Sequence, residues 1–113
     1  MAFPKKYHLI AAWKKAQQNS GTLFRVSAIG LNENGDVVDK AFNRSRFKRM
    51  GGGLHAEQQI FARAKRKGVK TIIICRIGRR NSILPIDPCP ACAEKARELG
   101  IKIYSVKATD LDV

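Results

Sequence analysis

Acidic residues are scarce in this 113-residue chain, which has 9 aspartates and glutamates against 22 lysines and arginines and a formal net charge of +13. The excess is concentrated between residues 40 and 80, where 13 basic residues stand against a single acid, Glu57. A solvated basic face would explain such a run. The imbalance nevertheless favours a phosphorylated ligand or a nucleic acid over a neutral small molecule.

Cysteine is also scarce, since the chain has only 3, too few for a disulfide framework. No apolar run approaches the roughly 20 residues of a membrane span. The first residues lack the apolar core of a secretory signal, so we expect a cytoplasmic protein, and the cell that contains it can be a phage-infected one. No repeat or linker divides the chain, and an apolar fraction of 44% predicts one folded domain over residues 1–113.

Hydrophobic periodicity and turn residues predict the order α-β-β-α-β-α-β. The predicted helices span residues 6–18, 55–67 and 89–99, and the predicted strands span residues 23–29, 37–42, 69–77 and 101–106. Asn34-Gly35 is the strongest turn signal and joins the first two strands. The final strand–helix–strand units imply parallel pairing. We therefore expect an α/β fold, a three-layer α/β/α sandwich around a single mixed sheet of about four strands.

A histidine and two cysteines lie at the starts of the second and third predicted helices. His55, Cys89 and Cys92 offer one nitrogen and two sulfurs, which fit a tetrahedral zinc ion with a fourth position left open for water. Because helix N-termini stabilise negative charge, both thiolates are expected to be favoured before metal binds. A closed structural zinc site, a redox C-x-x-C pair and an accidental match are the alternatives.

Neither of the other metal-binding side chains is a good fourth ligand. Cys75 lies within an apolar strand and is expected to be an inert buried thiol, and His8 lies in the first helix without an evident partner. A site with three protein ligands favours a catalytic zinc over a structural one. Glu57 follows His55 by two residues and can exchange protons with water that the metal acidifies.

These residues together resemble a known motif pair. His55-Ala56-Glu57 followed by Pro88-Cys89-Pro90-Ala91-Cys92 is similar to the H-x-E and P-C-x-x-C signature of the zinc-dependent deaminases of nucleobases. The element order from about residue 23 to 106 resembles the cytidine deaminase-like fold. The resemblance implies a hydrolase that holds Zn²⁺ on His55, Cys89 and Cys92 and uses Glu57 as its proton shuttle.

The remaining candidate residues would contact the substrate. The resemblance implies that Asn43 holds the sugar and that backbone atoms of Ala56 contact the base edge. The alternative for Asn43 is that it caps or ends a strand. Phe47 and Arg44 belong to a basic loop that can stack a base and bind phosphates, or is simply a mobile loop with one hydrophobic anchor. Pro88, directly before the first cysteine, completes this set.

Three functions are compatible with these patterns. The first is deamination of cytosine to uracil in a cytidine or deoxycytidine nucleoside or nucleotide. The second is deamination of cytosine or adenine in single-stranded DNA or RNA, including tRNA; Asp87 before Pro-Cys is common in the tRNA adenosine deaminase-like branch. The third is a basic zinc module that binds nucleic acid without chemistry.

Arg79 and Arg80 are placed to bind a phosphate. The strand over 101–106 is a possible edge for a homodimer or homotetramer.

Overall fold

The structure, a computed structural model, describes residues 4–18, 25–43 and 56–111, and these residues form three helices and five strands. The elements are α1 (Lys6–Gln17), β1 (Arg25–Leu31), β2 (Val37–Phe42), α2 (Ala56–Lys67), β3 (Thr71–Ile77), β4 (Ile83–Leu84), α3 (Pro90–Leu99) and β5 (Lys102–Ser105). None of the described helices combines the length and the apolar character needed to cross a membrane.

One mixed sheet contains all five strands, and β3 lies at its centre. Strand β1 pairs antiparallel with β2 on one side and with β3 on the other. The opposite side of β3 is shared, because β5 pairs parallel with residues 71–74 and β4 pairs antiparallel with residues 76–77. The parallel pairing predicted for the strand–helix–strand unit is confirmed.

The expectation of about four strands does not include strand β4. It falls within the loop predicted between β3 and α3, where a tight turn reverses the chain so that Ile83 and Leu84 pair with Ile77 and Arg76. A strand of two residues is too short to carry a periodic pattern, and its register depends on the turn that precedes it.

Helices cover both faces of the sheet, which confirms the three-layer α/β/α architecture. Helix α1 packs on one face, and α2 and α3 pack on the other. Successive residues of β3 alternate between these layers: Ile72 and Ile74 pack beneath α2 and α3, whereas Ile73 and Cys75 pack beneath α1. A strand buried on both faces is expected to be largely apolar, and the two polar residues of β3, Thr71 and Arg76, are its two half-buried positions. Burial raises the pKa of the Cys75 thiol to about 12, in keeping with an inert buried side chain.

The turn between β1 and β2 is formed as the Asn-Gly pair predicts. Gly35 has φ of 84°, and the Asn32 side chain accepts hydrogen bonds from the backbone of Asn34 and Asp36. His8 is fully buried beside this turn. Its Nδ1 accepts from the Lys5 backbone (2.9 Å), so its Nε2 carries the hydrogen that is donated to the Gly35 carbonyl (2.8 Å). His8 is therefore a structural link between α1 and the hairpin.

An ion-pair cluster fastens α2 to β2. Asp39 is buried in β2, and both of its oxygens accept hydrogen bonds from Arg63, at 2.8 and 3.1 Å, while Lys67 lies 3.4 Å away. Burial alone would raise the pKa of Asp39, but the Arg63 hydrogen bonds and charge, the Lys40 amide and Lys67 outweigh it and lower that pKa below its usual value. The cluster fixes the helix that carries Glu57.

Candidate active site at the carboxyl edge of the sheet

Strands β2 and β3 run in the same direction because each is antiparallel to β1. Their last residues, Phe42 and Ile77, therefore lie at one edge of the sheet, which we call the carboxyl edge. Helix α2 begins beside it, and the Gln59 side chain in its first turns donates to the Phe42 carbonyl (2.6 Å). Helix α3 ends at the opposite end of the sheet, because Lys102, which follows it closely, pairs with Thr71 at the beginning of β3. Helix α3 therefore starts at the carboxyl edge. Polar side chains at the starts of both helices thus meet there.

Glu57 lies in the first turn of α2 with only 4% of its surface exposed. A carboxylate at this position is favoured by the positive end of the helix dipole. Ala56 precedes it as the first helical residue, is fully buried and packs in the core beneath α2. Ala56, which lies between the predicted metal ligand His55 and the predicted proton shuttle Glu57, is therefore held against the sheet.

The two cysteines occupy the start of α3. Cys89 is the N-cap and Cys92 lies three residues later, on the same side of the first turn. The helix begins one residue later than predicted, and Pro90 takes the first helical position, which favours proline. Cys92 is 1% exposed, and both the Cys89 thiol and the Glu57 carboxylate lie close enough to raise the pKa of its thiol.

The expectation that both thiolates are favoured before metal binds is wrong for Cys92. Burial raises the pKa of the Cys92 thiol to about 12, and the negative charge of Glu57 and the hydrogen bond with Cys89 raise it as well. The helix N-terminus does not offset these effects, because Cys92 is enclosed beside a second acidic group. A bound divalent cation would reverse this balance, since a coordinated thiol is deprotonated outright.

The donor set fits a zinc ion. Two cysteines spaced by about one helical turn at the start of α3 provide the soft ligands that zinc binds in proteins. Within residues 4–18, 25–43 and 56–111, no three His, Cys, Asp or Glu side chains are arranged to hold a metal ion. His55, the predicted nitrogen ligand, lies outside the described residues, as do Arg44 and Phe47.

Asn43 ends β2 at the carboxyl edge. Its Oδ1 accepts from the Val26 backbone N–H (2.8 Å), and its own N–H donates to the Val26 carbonyl (2.9 Å). The side chain thus extends the pairing of β1 and β2 by one residue and holds its amide group in a fixed direction. Pro88 is half-buried in the extended segment directly before Cys89.

Several cations surround this edge. Lys15, near the end of α1, lies 4.7 Å from the centre of the Phe42 ring. Arg25 starts β1, and Arg79 and Arg80 form the turn that follows β3. The sequence pattern predicted the position of the two turn arginines but not the contacts that hold the turn. The one sequence signal for this turn was Asn81, because asparagine tolerates the left-handed backbone conformation that such a turn requires.

A cleft of about 460 Å³ separates the outer faces of α2 and α3 and reaches Cys92. Its lining residues are Gln58, Phe61, Ala62, Ala91, Cys92 and Lys95. Phe61 and Trp13 are partly buried, Phe61 against the core layer beneath α2 and α3 and Trp13 against the layer beneath α1.

Comparison with known proteins gives one consistent family. The family model described as the cytidine and deoxycytidylate deaminase zinc-binding region matches residues 4–108. No curated protein matches the chain significantly in sequence.

Solved structures share the fold. A cytidine deaminase from Burkholderia pseudomallei superposes with a TM-score of 0.65 at 20% identity, covering 92% of this chain and 87% of that one. A dCMP deaminase from the cyanophage S-TIM5, in complex with dCMP and dUMP, gives a TM-score of 0.66 at 20% identity, covering 93% and 83%. Cytidine deaminase from Mycobacterium tuberculosis gives 0.59 at 19% identity, covering 89% and 82%. The cytidine deaminase-like fold predicted from the motifs is confirmed.

Proposed function

This chain belongs to the cytidine and deoxycytidylate deaminase family, and from that premise we propose that it is a zinc-dependent hydrolase converting cytosine to uracil in a cytidine or deoxycytidine nucleoside or nucleotide. The observation that carries the proposal is the grouping of two buried side chains, Glu57 and Cys92, with the half-buried Cys89. It unites an acid–base group and two metal-binding groups at the carboxyl edge, where helices α2 and α3 begin.

The metal ligands in this proposal are His55, Cys89 and Cys92. His55 directly precedes Ala56, the first residue of α2, which is the helix that carries Glu57. The proposed metal ligand and the proposed acid–base group are therefore close in sequence. The three metal ligands would hold a zinc ion, and the chemistry that it would supply is to lower the pKa of a water molecule at the site.

Glu57 performs the proton transfers. In the net reaction, a C4–O bond forms from water, the C4–N4 bond breaks, and ammonia leaves while the base becomes uracil. The Glu57 carboxylate accepts a proton from the attacking water, passes it to N3 of the ring, and assists protonation of the departing amine. Its near-complete burial keeps bulk water from competing for these protons.

Substrate contacts are proposed for Asn43 and Ala56 on the α2 side and for Pro88 next to the cysteines, with Arg44 and Phe47 adding contacts to phosphate and base. Asn43 supports this role because its Oδ1 is fixed by Val26, which orients the amide before a sugar binds. Such preorientation lowers the entropy lost on binding.

A second candidate function is deamination of cytosine or adenine in single-stranded DNA or RNA. The net charge of +13 supports it, because a polyanion gains affinity from counterion release at a basic surface. A zinc module that only binds nucleic acid is less well supported, since a purely binding site gains nothing from burying the Glu57 carboxylate beside two thiols.

The test is ammonia release by zinc-loaded protein from cytidine, deoxycytidine, dCMP, adenosine, and single-stranded DNA or RNA containing cytosine or adenine. We expect release from a cytosine substrate, and we expect Glu57→Gln to lower the rate at least 10²-fold while the protein stays folded. Glu94→Gln is the matched control, because Glu94 is an exposed acid on α3 that pairs with Arg97. A Glu57→Gln protein with the wild-type rate would contradict the mechanism, and release from the polymers alone would favour the second function.

A further inference from the structure

The turn after β3 has an unusual backbone. The Ser82 N–H donates to the Arg79 carbonyl (3.2 Å), which closes a four-residue turn. Both central residues are left-handed, with φ of 59° at Arg80 and 59° at Asn81. Turns of this kind strongly prefer glycine, asparagine or aspartate at the two central positions. Asn81 satisfies that preference, whereas Arg80 holds a long side chain in a conformation that L residues avoid.

Two other elements brace this turn. Trp13 of α1 donates from Nε1 to the Asn81 carbonyl (2.7 Å). The Arg25 guanidinium donates to the Gly78 carbonyl (2.5 Å) and to Asn81 Oδ1 (3.4 Å). The strained conformation is therefore imposed by α1 and β1 and is not left to the local sequence. Strain maintained in this way tends to occur at functional positions.

The charges that the turn presents are not neutralised within the described part of the chain. Arg79 and Arg80 are both exposed, and the ion pairs there involve Asp39 and Glu94 instead. Arg25 is used to hold the turn, so the two exposed guanidinium groups remain as donors toward solvent. Arginine matches the geometry of phosphate oxygens through paired N–H groups.

The turn lies at the same edge as the proposed active site. It follows Ile77 at the end of β3, and only residues 85–88 separate the end of β4 from Cys89. A rigid cationic turn is thus placed at the edge where Glu57 and the cysteine pair meet.

We infer that the Arg79–Arg80 turn binds a phosphate group of the substrate, so that the site selects phosphorylated cytosine compounds over the free nucleoside. This inference rests on the proposed deaminase function and adds the substrate class and the residues that select it. The phosphate belongs either to a free nucleotide or to a single-stranded polynucleotide, and the same guanidinium groups would bind both.

The test is calorimetric titration of zinc-loaded protein that carries Glu57→Gln, so that ligands bind without being deaminated. The ligands are dCMP, deoxycytidine, and a short single-stranded oligodeoxynucleotide containing one cytosine. The variant combines Arg79→Gln with Arg80→Gly, because glycine suits the left-handed position and keeps the turn. The control combines Lys70→Gln with Lys102→Gln, which removes the same charge from two exposed residues at the opposite edge of β3.

We expect the turn variant to lose roughly tenfold or more in affinity for a phosphate-bearing ligand, and its affinity for deoxycytidine to change less than twofold. The control should preserve the preference for phosphate. Loss with dCMP identifies a nucleotide site, whereas loss with the oligonucleotide alone, together with a shallower salt dependence, identifies a polymer site.

Three results would overturn the inference: affinities of the protein with the unaltered turn that are equal with and without phosphate, a turn variant that loses no affinity for either phosphate-bearing ligand, or one that loses affinity for deoxycytidine equally. Ammonia release is measured separately, with Glu57 intact. A preference for dCMP through this turn, together with no ammonia release from the Glu57-containing protein, would refute the deaminase function and leave the phosphate site standing.

Discussion

Replacing Arg80 with glycine should make the protein more stable. The left-handed backbone at Arg80 has φ of 59° and ψ of 25°, and this conformation costs a non-glycine residue roughly 1–2 kcal/mol. Glycine removes that strain but adds about 0.5–1 kcal/mol of backbone freedom to the unfolded chain. The expected net gain in the free energy of unfolding is about 0.5–1 kcal/mol, or a rise in Tm of roughly 2–5 °C.

The neighbouring arginine provides the matched control. Arg79 has an exposed side chain and the same charge, but positive φ among the described non-glycine residues occurs only at Arg80 and Asn81. Arg79→Gly should therefore add freedom to the unfolded chain without relieving strain, and the free energy of unfolding should fall by roughly 0.5–1 kcal/mol. The opposite signs separate backbone strain from the general benefit of removing one cation.

Urea and thermal unfolding can be followed through the fluorescence of the single tryptophan, since Trp13 donates to the carbonyl of Asn81 in this turn. Far-UV circular dichroism checks that the whole domain unfolds together. The reasoning is refuted if Arg80→Gly lowers the Tm, or if both glycine variants shift it in the same direction by the same amount.

Three further predictions concern the core and the metal site. Asp39→Asn should lower the free energy of unfolding by about 1–3 kcal/mol at pH 7. Because the pKa of Asp39 is lowered in the folded protein, this loss, measured by urea unfolding, should be complete above about pH 4 and should disappear as the pH falls through the folded pKa. A loss that grows as the pH falls would contradict the prediction. Gly30→Ala should destabilise the protein by about 1–3 kcal/mol, since a Cβ there would lie 3.0 Å from Val69 Cγ2; a neutral change in urea unfolding would disprove the clash, and Val69→Ala should partly rescue it. Metal analysis should find one zinc per chain in Cys75→Ala and none in Cys92→Ala, and equal zinc content in both would count against the proposed ligands.

The three layers follow from the sequence because burial leaves a periodic pattern in long elements. The predicted strand 37–42 has the bounds of β2. The predicted strand 69–77 begins two residues too early, because Val69 is buried under α2 before pairing starts at Thr71. Strand β1 continues to Leu31, beyond the predicted end at residue 29. Element ends depend on pairing partners and turns, and local hydrophobicity does not encode these.

The candidate site was predictable where its chemistry is local and not where it depends on distant residues. Cys89 and Cys92 are three residues apart, so one helical turn brings them together wherever the helix lies. The pKa of Cys92, by contrast, depends on burial and on Glu57, which lies 35 residues earlier in the chain and on another helix. The hydrogen bond from Trp13 to Asn81 spans 68 residues, and no short motif reveals it.

Helix α1 is tied to both ends of the sheet at once. His8 bonds to the β1–β2 turn, and Trp13, five residues or about 7.5 Å further along the helix axis, bonds to the turn that holds Arg80. The helix therefore acts as a spacer of set length between the hairpin end of the sheet and its reactive end. Inserting one residue between these contacts would rotate Trp13 by about 100° away from its acceptor, so the length of this segment is constrained although neither residue belongs to the proposed reaction site.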